Sequence, residues 1–134
     1  MTVRRLPSPP IRIRCIHDPA IFRRAHFLLH TKYNDPCPTV VLEAMASGLP
    51  VVYSRSGGVP ELVGDEAGAG VPAEIGWERD DPPSPAAMAA AVMELSQPDR
   101  YLHASVAARR RAVERFDVGP WLARHREVFE SLLG

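Results

Sequence analysis

Cysteine is nearly missing from this 134-residue chain: only Cys15 and Cys37 occur, and they stand in neither a metal-ligand spacing nor a disulfide framework. Reduced thiols in a cytoplasm are the expectation. An excess of either charge is missing too. Sixteen Lys and Arg residues balance sixteen Asp and Glu, so no net field points to nucleic acid or to an anionic membrane. The Arg109 to Arg111 run reads as a solvated helix face. No stretch approaches the roughly twenty apolar residues that cross a bilayer, and residues after Arg4 and Arg5 lack the apolar central run of a signal peptide. The histidines show no metal-ligand spacing, and no segment repeats.

What remains is the composition of a soluble globular domain. A chain of this length can bury roughly two-thirds of its unfolded surface, enough for one core. Residues 1–20 mix prolines and arginines without sustained periodicity, although "IRIRCI" at 11–16 alternates as a short strand would. From Ile21 the pattern sharpens. "PAIFRRA" reads as a short helix and "HFLLHTKY" at 26–33 as a buried strand. Pro38 suits a helix start and Gly48 a helix end, so "TVVLEAMASG" is helical. "LPVVYS" is a second buried strand, "RSGGVPELVG" a glycine loop and a short helix, and "AGVPAE" a third strand. Strand alternating with helix at these lengths implies a parallel sheet, hence an α/β class.

The rest reads as helix. Ser84 and Pro85 form an N-cap pair ahead of "AAMAAAVMELS", where Met88, Val92 and Leu95 share a face and Pro98 ends the element. A second helix runs from about Asp99 to Phe116 with Leu102, Val106, Val113 and Phe116 expected inside. A third starts near Pro120, and its stripe of Trp121, Leu122, His125, Val128, Phe129, Leu132 and Leu133 calls for a large surface to lie against.

The chemistry concentrates in "HTKYNDPCPTVVLEAMASGLPVVYSRSGGVPELVG", residues 30–64. Asp35 follows the first strand, in the crevice beyond the carboxyl ends where open α/β sheets bind ligands. Glu43 sits eight residues later, on the helix. Between them, the helix start presents the free N–H groups of Thr39 and Val40 and the positive end of its dipole, a natural anion site. Two carboxylates beside an anion site suit a ligand with hydroxyl pairs, as sugars and ribose have, each charge-assisted bond contributing on the order of 1.5–3 kcal/mol. Plainer readings stand beside these. Asp35 is also good turn chemistry after Asn34 and before Pro36, Glu43 and Glu61 also suit solvated helix carboxylates or dipole partners, and Gly57 and Gly58 also make a plain tight turn. Lys32 could reach a phosphate, but it and His30 read more simply as a surface lysine and a packed strand histidine.

Asp35 and Glu43, the run "LEAMASGLPVV" and the following "GGVPELV" together resemble the Glu-x7-Glu block of retaining GT-B glycosyltransferases of the family 4, or group 1, type, which includes sucrose and glycogen synthases and many bacterial polysaccharide enzymes. The similarity runs from about Ile21 to Gly134. It implies a partial Rossmann-like domain, the C-terminal half of a GT-B enzyme, with a short parallel sheet flanked by helices and a helical C-terminus. It also implies a UDP- or GDP-sugar donor, a glycan or lipid acceptor, retention at the anomeric carbon, and no metal or other cofactor. Glu43 would take the ribose hydroxyls and Asp35, where the family usually has Glu, the donor sugar and the charge near its anomeric carbon. Thr39, Val40, Gly57 and Gly58 would line the donor. Pro38 departs from the family's glycine and removes one N–H from the loop.

The same resemblance implies that much is elsewhere. GT-B enzymes place the reaction between two such domains, and this chain has room for less than one. No counterpart of the family's diphosphate-neutralising Arg and Lys is found in residues 1–29. The expectation is therefore a truncated donor-binding half with an exposed sheet edge, needing a companion chain or self-association; the alternative is a non-catalytic nucleotide-sugar-binding module or an inactive remnant.

Overall fold

A computed structural model gives the fold of residues 19–76 and 78–133, so the strand expected at 11–16 lies outside the described residues. In chain order the elements are α1 (Pro19–Arg24), β1 (Leu28–His30), α2 (Thr39–Ala46), β2 (Val51–Ser54), α3 (Val59–Val63), β3 (Gly68–Val71), α4 (Pro85–Leu95), α5 (Pro98–Phe116) and α6 (Val118–Leu133). The three strands form one parallel sheet in the order β1-β2-β3. Leu28 pairs with Val51, and Val51 with Gly68.

Helices cover both faces, which is why all four residues of β2 are buried. Alternation divides them. Val51 and Tyr53 join Val41, Met45, Val59 and Val63 of α2 and α3 on one side, where α5 adds Ala107, Ala108 and Ala112. Val52 joins Val71, Met88 and Leu95 on the other side, under α4. The α/β class with a flanked parallel sheet and a helical C-terminus is thus as the sequence reading gave it.

Local chemistry sets the ends of the helices. Gly48 adopts a left-handed φ of +77°, which lets its own N–H reach Met45 O at 2.9 Å and that of Leu49 reach Ala44 O at 2.9 Å, closing α2. The Ser84 hydroxyl accepts from Ala87 N–H at the start of α4, with Pro85 in the first turn.

Several expectations need correction. The strand at 26–33 shrinks to three residues, and Leu29 is 55% exposed because β1 is a sheet edge among the described residues. Pro98 opens α5 instead of merely ending α4. On α5 the buried face is Ala104, Ala107, Ala108 and Ala112, while Leu102, Val106 and Val113 are exposed. The reason is distance. The Ser105 hydroxyl donates to Gly48 O at 2.7 Å, and a helix lying that close to the end of α2 can present only small side chains. The α6 stripe buries nothing: no residue of that helix is buried among the described residues.

Candidate functional site

Parallel strands send their following loops to one edge of the sheet, and here the three loops are joined to each other. Asn34 N–H donates to the Ser56 hydroxyl at 3.0 Å, and Gly58 N–H to Asp35 O at 2.9 Å, linking the loops after β1 and β2. The Asn34 side-chain amide donates to Gly76 O at 3.0 Å, and the Tyr33 hydroxyl donates to Glu74 O at 2.6 Å, linking in the loop after β3. Ser56 is itself held by a 3.0 Å contact to the Ser54 hydroxyl, both buried. Asn34 has a positive φ of 48°, a conformation that asparagine tolerates better than most residues.

The paired glycines are required by this junction. A Cβ on Gly57 would lie 2.3 Å from Asp35 O, and one on Gly58 1.9 Å from Pro36 O. Gly57 also has a φ of +63°. The close approach these two residues permit is to the main chain of residues 34–36. Sequence reasoning had placed the two glycines either along the donor or in a plain tight turn, and it missed Tyr33, Asn34, Ser54 and Ser56 as the frame. The Asn34-Asp35-Pro36 turn signal was the visible trace of it.

Asp35 stands on that frame with a side chain only 14% exposed. Its Oδ2 lies 3.4 Å from His30 Nε2 and 3.2 Å from Lys32 Nζ. His30, the last residue of β1, is 7% exposed, and its Nδ1 is buried without a partner among the described residues. Lys32 is the chain's single lysine and is 68% exposed, so its ion pair with Asp35 contributes little energy.

Four residues beyond Asp35, α2 begins at Thr39. Val41 N–H bonds to Pro38 O at 3.1 Å, and the N–H groups of Thr39 and Val40 precede any intrahelical acceptor. Thr39 is exposed, Val40 half-buried, and Glu43 half-buried one turn further on. The structure therefore brings the main chain of Asp35 against Gly57 and Gly58, and Thr39 and Val40 follow Asp35 at the start of α2. No hydrogen bond or ion pair joins Glu43 to Asp35. Glu61 is exposed on the first turn of α3.

Beyond β2 the Arg55 side chain lies across β3: a Cβ on Gly70 would come 2.7 Å from Arg55 Cγ and 3.0 Å from Tyr53 Cζ. Burial raises the Tyr53 phenol above its ordinary value, and the Arg55 charge and hydrogen bond pull the other way. Among the described residues no cluster of His, Cys, Asp and Glu has the makings of a metal site, and no helix is long and apolar enough to cross a membrane.

A parallel sheet with helices on both faces and its polar loops collected at the carboxyl ends defines an α/β domain of the doubly wound kind. Its structure is similar to that of sucrose-phosphate synthase from Thermosynechococcus elongatus, with a TM-score of 0.72 at 24% identity, covering 84% of this chain and 27% of that one. Residues 18–111 match the family model for glycosyl transferases group 1, and the chain belongs to that family. A search of curated proteins finds no match.

Proposed function

We propose that this chain binds the donor of a glycosyl transfer, a sugar carried on a nucleoside diphosphate such as UDP or GDP, at the carboxyl edge of its sheet. The observation that carries the reading is Asp35: a largely buried carboxylate fixed on a hydrogen-bonded loop frame, four residues before a helix N-terminus, in a member of a glycosyltransferase family. In this reading the diphosphate meets the N–H groups of Thr39 and Val40 and the positive end of α2, where charge that develops on departure of the sugar is stabilised without reorganisation. Asp35 accepts hydroxyls of the donor sugar and offsets positive charge near its anomeric carbon. Glu43 accepts the ribose hydroxyl pair. The nucleoside diphosphate leaves, and the sugar passes to a glycan or lipid acceptor with retention, as the Glu-x7-Glu resemblance implies. A cytoplasmic setting supplies such donors. The chain spans 27% of the length of the similar synthase, and in this reading the acceptor side lies outside residues 19–133.

Calorimetric titration of the purified chain with UDP, GDP and their glucose or mannose conjugates tests this. Saturable binding that is lost in Glu43→Ala and weakened at least ten-fold in Asp35→Asn is expected. A folded chain that binds none of the four overturns it.

A further inference from the structure

The buried histidine at the end of β1 has no part in the donor site as drawn so far, yet it is built into it. The His30 ring is nine-tenths buried, and Nε2 is 3.4 Å from Asp35 Oδ2 while Nδ1 meets no partner among the described residues. Only one arrangement of the ring proton suits that environment. With the proton on Nε2, the protonated nitrogen is the one beside the carboxylate and the unpaired atom is a bare lone pair. With the proton on Nδ1, a buried N–H would be left unmatched beside a carboxylate facing another lone pair, at the full desolvation cost of that donor.

The carboxylate gains from this. Asp35 has its main chain pinned through Gly58 N–H at 2.9 Å, but its side chain can still rotate. Lys32 is too exposed to fix it, since a solvated ammonium on a flexible stem holds a partner weakly. Of the two side chains paired with Oδ2 among the described residues, the ring of His30 is the buried one. Both contacts fall on Oδ2, leaving Oδ1 for a ligand hydroxyl. A separation of 3.4 Å is an ion-pair contact longer than the 2.7–3.2 Å of an N–H···O bond, and such contacts in ligand-free sites commonly tighten into bonds when the ligand arrives.

We propose that His30 is a positioning residue for Asp35: carrying its proton on Nε2, it fixes one carboxylate oxygen so that the other faces the hydroxyls of the donor sugar. This rests on the donor-site reading above, and the pair itself is measured without any ligand. Long-range proton–nitrogen spectra of the labelled chain, assigned with His30→Gln, should show the Nε2–H tautomer, with the Nε2 signal moving in Asp35→Asn. A Nδ1–H tautomer, or an Nε2 signal indifferent to Asp35→Asn, overturns the proposal.

Donor titration supplies the second arm. His30→Gln, whose amide N–H reaches about as far as Nε2, should bind a UDP- or GDP-sugar within about three-fold of the wild type, whereas His30→Leu loses roughly ten-fold, the factor that about 1.4 kcal/mol of lost orientation corresponds to. His30→Asn, whose amide falls short of Oδ2, should behave as Leu does and serves if Leu fails to fold. Equal affinity in all three variants overturns the positioning role. A wild-type chain that takes up no donor overturns the donor-site reading and this use of the pair together, and the tautomer then tells whether the contact itself exists.

Discussion

Replacing Gly58 with alanine adds one methyl group to a junction with no room for it. The φ of Gly58 is −90°, which alanine adopts freely, so the cost is steric and not conformational. The new Cβ would stand 1.9 Å from the Pro36 carbonyl oxygen, where ordinary contact begins at 3.4 Å. Main chain lies on both sides, so neither partner can turn away as a side chain would. The loops after β1 and β2 must part by roughly 1.5 Å, more than the Gly58 N–H bond to Asp35 O survives. That bond and the Asn34–Ser56 bond beside it contribute about 1 kcal/mol each, and the forced main-chain shift costs about another 1 kcal/mol or more. We expect Gly58→Ala to destabilise by about 3 kcal/mol, roughly 10 °C in Tm for a domain of this size. Gly76→Ala is the control, because a Cβ there meets nothing within 4 Å, and it should stay within about 0.5 kcal/mol of the wild type. Thermal and urea unfolding followed by circular dichroism would decide. Gly58→Ala melting together with Gly76→Ala would refute the argument that the glycine pair exists to bring the two loops together.

Two further predictions concern the core. Ala108 is fully buried on α5 while Leu102 is exposed, so Ala108→Leu should cost about 1–3 kcal/mol by overpacking and Leu102→Ser less than about 0.5 kcal/mol; urea midpoints in the reverse order would show that the helix presents its other face. Tyr53 gives a pH dependence. Its phenol is raised above 10.0, first by burial, so the unfolded chain releases the proton before the folded one does. The stabilisation is complete below about pH 10 and is lost as pH rises through the folded value. Urea unfolding between pH 8 and 11 should show wild type losing stability relative to Tyr53→Phe above pH 10, and parallel curves would contradict the raised value.

The parts of the fold legible in sequence were those where local and tertiary demands agree. Gly48, Ser84 and Pro85 mark helix ends in the sequence because their backbone chemistry acts within a turn, and they mark the same ends in the structure. Alternating strand and helix lengths gave the parallel sheet. The buried face of α5 was not legible, since that helix carries two apolar stripes. Periodicity favours the larger residues, Leu102, Val106 and Val113, whereas the close approach to Gly48 selects the alanines. The site divides in the same way. Asp35 and the glycine pair announce themselves through turn chemistry and spacing. The loop frame made by Tyr33, Asn34, Ser54 and Ser56 depends on contacts between residues 22 to 42 positions apart, which no local pattern encodes. His30 was readable as a packed strand histidine, and its proximity to Asp35 was not.

The frame at the sheet edge has a consequence for how such a site can change. Its joints are made largely of main-chain groups, two short hydroxyls, one phenol, one amide and two absent side chains. The side chains that face outward from it, Lys32 and Thr39 among them, carry none of those joints and are exposed. Such residues can be exchanged one at a time without loosening the scaffold that aims Asp35. Preference for one ligand over another can thus drift along the rim while the geometry of the carboxylate stays fixed, a division between fixed mounting and replaceable fittings that lets one fold take different ligands of the same chemistry.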